Sequence, residues 1–206
     1  MNAVQPASSA LWRGTLVAIA AMAAIVTLSN VLVQYPFNDW LTWGAFTYPF
    51  AFLVTDLANR LHGAAVARRV VLAGFALAVV LSIVFATPRI ALASGTAFLA
   101  AQMLDVSVFD RLRSGSWWRA PAVSSLLGSA LDTALFFGLA FAATFDFLGD
   151  DTGWANEAVP LLGQGPAVAL WVSLAVGDFL VKLALIAVAL VPFRLVVGLA
   201  GAAPQR

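Results

Sequence analysis

The chain has 206 residues, a formal net charge of +1, and 62% hydrophobic against only 10% charged residues. Soluble domains carry about 25% charged residues, so a mean hydropathy of +0.94 describes a polytopic membrane protein, and the near-neutral charge argues against a nucleic-acid or acidic-surface partner. With no cysteine and with His62 as the only histidine, a disulfide framework, a thiolate nucleophile and Cys- or His-rich metal sites are excluded. Neither HExxH nor GxSxG occurs, so no enzyme, metal or cofactor is expected.

Six apolar runs predict an all-α bundle of six transmembrane helices in a single domain, because about 20 apolar residues at a 1.5 Å rise cross the ~30 Å hydrocarbon core. They are Thr15–Val33, Trp43–Leu61, Val70–Ala86, Ile90–Phe109, Pro121–Phe145 and Ala167–Val191. The first is too long for a signal-peptide core and reads as a retained span. The second contains Pro49, which either kinks the helix or breaks it and frees backbone groups. Pro121 suits the first turn of the fifth span, where a missing N–H costs nothing. Pro192 stands near the end of the sixth.

Basic residues set the orientation. Arg13, Arg60, Arg68, Arg69, Arg111, Arg113, Arg119, Arg194 and Arg206 fall on one side of these six spans. Asp39, Arg89 and the acidic loop of Asp146, Asp150, Asp151 and Glu157 fall on the other. The positive-inside rule then places both termini in the cytoplasm. The segment 146–166 reads as a solvated connector, with a lid as the sharper alternative.

Polar groups inside the spans are where function is expected, because charges in hydrocarbon are costly. Asp178 and Lys182 lie four apart on one face of the sixth span and can pair across a turn. Asp132 has no basic residue within a turn of its own helix, so it needs Lys182, a proton or a ligand. At 1.5 Å per residue these three lie roughly 18–24 Å from the nearest cytoplasmic arginine, in the middle or outer half of the membrane. Asp56 and Asp105 are only about 6 and 9 Å from Arg60 and Arg111. Gln102 shares a face with Asp105. Asp56 and Arg60 read equally as an anchoring ion pair or as part of a pocket, whereas Asp110–Arg111 reads as an anchor. Carboxylates, amides and aromatics suit a small, planar, donor-rich heterocycle, since a carboxylate accepts two parallel N–H bonds from a guanine-like edge. Phe46, Phe50, Phe136, Phe137 and Trp171 are the candidates to stack on it, with ordinary helix packing as the plainer reading.

The blocks Thr42–Arg69 (TWGAFTYPFAFLVTDLANRLHGAAVARR), LDVSVFDRLR at Leu104–Arg113, WWRAP at Trp117–Pro121, LDTALFF at Leu131–Phe137 and the Asp178–Lys182 pair resemble the bacterial queuosine-precursor transporter family. The similarity runs in order from SNVLVQ in the first span to the sixth. The resemblance implies an inner-membrane importer of 7-cyano- and 7-aminomethyl-7-deazaguanine, precursors for tRNA modification. It implies a substrate-binding or coupling set drawn from Asn30, Gln34, Thr55, Asp56, Arg60, Gln102, Asp105, Asp132, Thr133, Asp178 and Lys182, to which Phe50 is added as a stacking candidate. Ser129 and Asn59 depart from the family pattern and leave room for an altered substrate preference.

The expected core of the site is the triad Asp132, Asp178 and Lys182, one carboxylate reading the guanine-like edge while Lys182 sets the charge of its neighbours. Asp56, Asp105 and Gln102 are expected to close the cytoplasmic side. The alternatives are a transporter of another purine-like heterocycle, or the substrate-binding subunit of an ATP-driven vitamin-type importer, which docks through small residues such as Ala20 and Ala24. The expected partners are the lipid bilayer, a small planar substrate, and a homo-oligomer or an energising module.

Overall fold

The computed structural model describes residues 7–149 and 152–201. Asp150, Asp151 and Arg206, which figured in the orientation, lie outside the described residues. α1 (Ala7–Leu32) leads into a hairpin, β1 (Pro36–Asn38) and β2 (Leu41–Thr42), then α2 (Gly44–Thr47), α3 (Phe50–His62), α4 (Ala64–Phe85), α5 (Pro88–Leu112) and α6 (Arg119–Phe141). Three short 3-10 turns, at Ala143–Leu148, Gly153–Asn156 and Leu161–Gly163, and a second hairpin, β3 (Ala158–Pro160) and β4 (Ala167–Ala169), precede α7 (Leu170–Leu199).

Five helices, α1, α4, α5, α6 and α7, are long and apolar enough to cross a membrane, at 21 to 30 residues each. The run around Pro49 is different. α3 has 13 residues and reaches about 20 Å, too short to cross a membrane by itself. Tyr48 and Pro49 keep helical dihedrals, but Ala51 and Phe52 donate to the carbonyls of Tyr48 and Pro49 instead of reaching a full turn back. Pro49 has no N–H to give, and the chain answers by tightening one turn, a kink in place of a break. Gly63 then supplies the φ of 89° that turns α3 into α4, a conformation only glycine adopts freely.

Two expected ends are corrected. Ala167–Ala169 are strand, paired with Ala158–Pro160, so the sixth run becomes helical only at Leu170 and continues through Pro192 to Leu199. The fifth run stops at Phe141 because Ala142 is extended (φ −68°, ψ 134°) and Ala143–Leu148 winds as a 3-10 turn.

The packing separates the bundle into an apolar half and a polar half. α1, α3, α4 and α5 meet around Met22, Val26, Val54, Val70, Val71, Phe98 and Val106. α5 runs along α6, and α7 packs on α6 and α3. Gly128 allows the closest approach there. A Cβ at Gly128 would stand 2.6 Å from the Phe52 ring and 3.3 Å from the Ala101 carbonyl oxygen.

The described part of segment 146–166 is folded onto the helix ends, where a solvated connector was expected. Arg89, 1% exposed, donates to the carbonyls of Leu139 (2.9 Å), Ala142 (2.8 Å) and Gly149 (3.3 Å) and to Asp146 Oδ1 (2.9 Å). Asn156 Nδ2 donates to the Phe141 carbonyl at 2.9 Å, and Trp154 packs edge-on against Phe141 at 5.6 Å. The Thr152 hydroxyl and the Arg89 guanidinium hold the exposed Asp146 carboxyl below the usual carboxylate range.

Candidate functional site

Two polar clusters lie along α6. The first gathers around Lys182, the only lysine of the chain and 3% exposed. Its Nζ donates to Asp132 Oδ2 at 2.7 Å and Thr133 Oγ1 at 2.9 Å, and pairs with Asp178 one turn back on α7. An ammonium has three N–H groups, and all three are used. Asp132 is met on both oxygens and Asp178 on its Oδ2. Thr133 Oγ1 donates to Asp178 Oδ2 at 2.8 Å and Tyr48 Oη donates to Asp132 Oδ1 at 2.9 Å. The Lys182 ammonium also sits 5.6 Å from the Tyr48 ring centre, within cation–π range. The sequence supplied the triad; Tyr48 it did not single out. Its signal was a polar ring beside Pro49 within an apolar run, where a buried hydroxyl needs a partner.

The second cluster begins at Ser125, seven residues before Asp132 and so about 10 Å away along α6. Asp56 on α3, 2% exposed, accepts from Ser124 Oγ on Oδ1 and from Ser125 Oγ on Oδ2, both at 3.1 Å. Asp105 on α5 is fully buried and lies within hydrogen-bonding reach of Asp56. Ser124 has one hydrogen to give and gives it to Asp56. Neither Asp105 oxygen meets a donor other than the Asp56 carboxyl, and Asn59 Oδ1 meets none; Gln102 Nε2 and Ser129 Oγ are left with no acceptor. All five atoms belong to residues at 0% exposure on α3, α5 and α6. Native proteins leave only a few buried polar atoms unpaired, and such groups call for a physical reason.

No cation compensates this second cluster. Asp56 and Arg60, read from sequence as a possible ion pair, make none among the described residues. Arg60 Nη1 donates instead to the Arg113 carbonyl at 2.6 Å. Arg113 pairs with Asp110 at 3.2 Å, so the anchor of that helix end is Asp110–Arg113, where Asp110–Arg111 was expected. One turn of helix separates Asp56 from Arg60, and the interhelix carbonyl lies closer to open water than the carboxylate does.

The other expected residues are divided. Thr55 Oγ1 donates to Gln102 Oε1 at 2.6 Å and Asn59 Nδ2 to the Val106 carbonyl at 3.0 Å, which ties α3 to α5 beside the acid pair. Asn30 Nδ2 and Gln34 Nε2 turn back onto the carbonyls of Val26 and Asn30, away from both clusters. Phe46 packs on Phe37, and Phe136 and Phe137 pack on Phe141. Phe50 is half-buried at the start of α3. Ser124 and Ser125 were not singled out, although two adjacent buried hydroxyls needed an acceptor.

Between α3, α6 and α7 lies a cavity of about 20 Å³, lined by Asp56, Ser125 and Ser129 and walled by Leu185, Ile186 and Phe193 of α7. That volume suits one water molecule, far below the ~300 Å³ at which small-molecule pockets begin. The cavity has no room for a base, and α7 is its wall with only apolar side chains.

The sequence profile of a family described as "Putative vitamin uptake transporter" matches residues 42–87 and 82–197. The chain belongs to that family. The chain is 41% identical over 141 residues to the "Queuosine precursor transporter" of Escherichia coli (strain K12), a match covering 57% of the chain and 64% of the relative. It is 36% identical over 158 residues to the "Probable queuosine precursor transporter" of Haemophilus influenzae, covering 59% and 67%. The match therefore spans just under two thirds of the Escherichia coli protein. No solved structure matches the chain. Family membership and five long apolar helices make it a multi-pass membrane protein of a transporter family, and the matched residues include both polar clusters.

Proposed function

We propose that the chain imports queuosine precursors, 7-cyano- and 7-aminomethyl-7-deazaguanine, across a bacterial inner membrane. The names of its two relatives supply the substrate class. The observation that carries the reading is the set of five unpartnered polar atoms buried on three helices of a membrane bundle. An apolar solute would not need them, and a purely structural bundle would be more stable without them. In this reading the chain crosses six times, α2 and α3 together forming the second crossing. Both ends and the arginine-rich loops face the cytoplasm, and the segment around Arg89 faces outward.

The substrate then occupies a chamber along α6. The Lys182, Asp132 and Asp178 cluster forms its outer wall and Asp56, Asp105 and Gln102 its inner end, with Ser129 one turn from each. Opening requires α7 to move off α3 and α6, because its Leu185, Ile186 and Phe193 fill the space a base would take. Uptake of labelled 7-cyano-7-deazaguanine into liposomes holding this chain alone tests the proposal. Time-dependent accumulation, competed by 7-aminomethyl-7-deazaguanine, is the expected result. Uptake that needs an added ATP-driven module would replace it with the binding-subunit reading, and uptake of neither base by folded protein would end it.

A further inference from the structure

We infer that Asp105, with Gln102 one turn before it on α5, reads the hydrogen-bonding edge of the heterocycle and selects a base that presents two adjacent N–H donors beside a carbonyl. The inference rests on the import reading and names the residues of that site that set its specificity.

The unpartnered atoms define what is missing. Three are acceptors, the two Asp105 oxygens and Asn59 Oδ1, and two are donors, Gln102 Nε2 and the Ser129 hydroxyl. Neither Asp105 oxygen receives an N–H or a serine hydroxyl, and a carboxylate, with about four lone-pair sites, accepts two parallel N–H bonds even beside the Asp56 carboxyl. On a guanine-like ring those are the exocyclic amine and the neighbouring ring N–H. The next group along that edge is a carbonyl, which needs a donor. Gln102 is three residues from Asp105, about 4.5 Å along the same helix face, and its Nε2 is free because Thr55 holds its Oε1. The amide is thus fixed in the orientation that points a donor away from Thr55. Asp56 already receives a serine hydroxyl on each oxygen, which leaves Asp105 the acid of the pair with more acceptor sites open.

The Lys182 cluster is unsuited to the task. Asp132 receives Lys182 and Tyr48, one on each oxygen, and Asp178 receives both Lys182 and Thr133 on Oδ2. A base inserted there would displace charge-assisted bonds to make weaker ones. Edges other than the guanine type fail at Asp105. An adenine edge turns a ring acceptor towards the carboxylate, a xanthine edge a carbonyl, and a hypoxanthine edge lacks the amine. A site built on hydrogen bonds rejects analogues that leave its polar groups unpaired far more strongly than an apolar pocket does.

The test measures binding by purified, detergent-solubilised protein to 7-deazaguanine, 7-deazaadenine, 7-deazahypoxanthine and 7-deazaxanthine. The wild-type chain is expected to bind 7-deazaguanine at least about 100-fold more tightly than the other three. Asp105→Asn presents one acceptor and one donor. It is expected to lose 7-deazaguanine by a similar factor and to gain 7-deazaxanthine, whose ring N–H and adjacent carbonyl match it. Asp132→Asn is expected to keep the order of preference. A folded Asp105→Asn protein that still prefers 7-deazaguanine, or that binds neither base, overturns the inference, as does an exchange of preference in Asp132→Asn. Should Asp105→Asn fail to fold, Gln102→Glu decides: an acceptor in place of the amide donor must weaken 7-deazaguanine at least about tenfold, and an unchanged affinity overturns the assignment. Failure of folded wild-type protein to bind any of the four bases strikes the import reading instead.

Discussion

The Lys182 cluster and the Asp56–Asp105 cluster are built from the same residue types on neighbouring turns of one bundle, yet they are opposite in character. Around Lys182 two carboxylates, a hydroxyl and a phenol surround an ammonium whose three N–H groups are all used. Around Asp105 two carboxylates meet with only serine hydroxyls to serve them, and five polar atoms go without. The first cluster holds its own counter-charge, and the second keeps buried polar atoms without partners. A buried charge is therefore a poor guide to a binding atom by itself; what matters is whether its partners are already in place.

The largest expected effect tests the counter-charge. Lys182→Met leaves Asp132 and Asp178 facing each other with no cation, and removing one partner from a buried ion pair costs about 3–5 kcal/mol. Thermal unfolding in detergent should show Lys182→Met as the least stable single variant of either cluster, and stability near wild type would mean that the cluster is wetter than its packing indicates. Asp105→Asn should behave in the reverse sense. It removes a charge from a donor-poor site, so the empty protein is expected to gain stability, by roughly 0.5–2 kcal/mol, while binding suffers as described above. A loss of stability would show that Asp105 has an undetected structural partner and would erase the contrast.

Smaller changes sharpen it. Ser125→Ala takes one donor from Asp56 and should cost about 1–2 kcal/mol, read as a lower unfolding temperature; Ser129→Ala, whose hydroxyl has no acceptor, should cost almost nothing in the empty protein. Equal costs would mean that Ser129 is bonded after all. The smallest effect belongs to the exposed Asp146. Its carboxyl titrates below its unfolded range, so its contribution is present above the unfolded pKa of about 3.9 and is lost as pH falls through the lower folded value. Hydrogen exchange in residues 143–149 should accelerate on acidification through that window in wild type but not in Asp146→Asn.

Much of this architecture was legible from residue type alone. Long apolar runs become helices because no other structure satisfies its own backbone in hydrocarbon, and the i, i+4 spacing of Asp178 and Lys182 put both on the face that meets α6. Asp132 had no basic neighbour on its own helix, which left Lys182, a proton or a ligand, and Lys182 is the partner found. The division between a satisfied cluster and an unsatisfied one was not legible, because it depends on hydroxyl groups on other helices. Ser124, Ser125 and Tyr48 have no periodicity to betray their partners. Asn30 and Gln34 looked like site residues by type, but each amide reaches a carbonyl one turn back on its own chain. The hairpins and the fold of the loop escaped for a similar reason, since a three-residue strand carries too little pattern to announce its partner.

Arg89 has a consequence for how the bundle can move. A guanidinium keeps its charge and points its five N–H groups in a fixed plane. From the first turn of α5 it grips carbonyls at the end of α6, where a helix has acceptors to spare. With that grip at one end and the close approach at Gly128 further along, α5 and α6 cannot slide or splay independently. They move as one unit, and in the proposed import cycle the opening movement falls to α7 and to the tightened joint between α2 and α3.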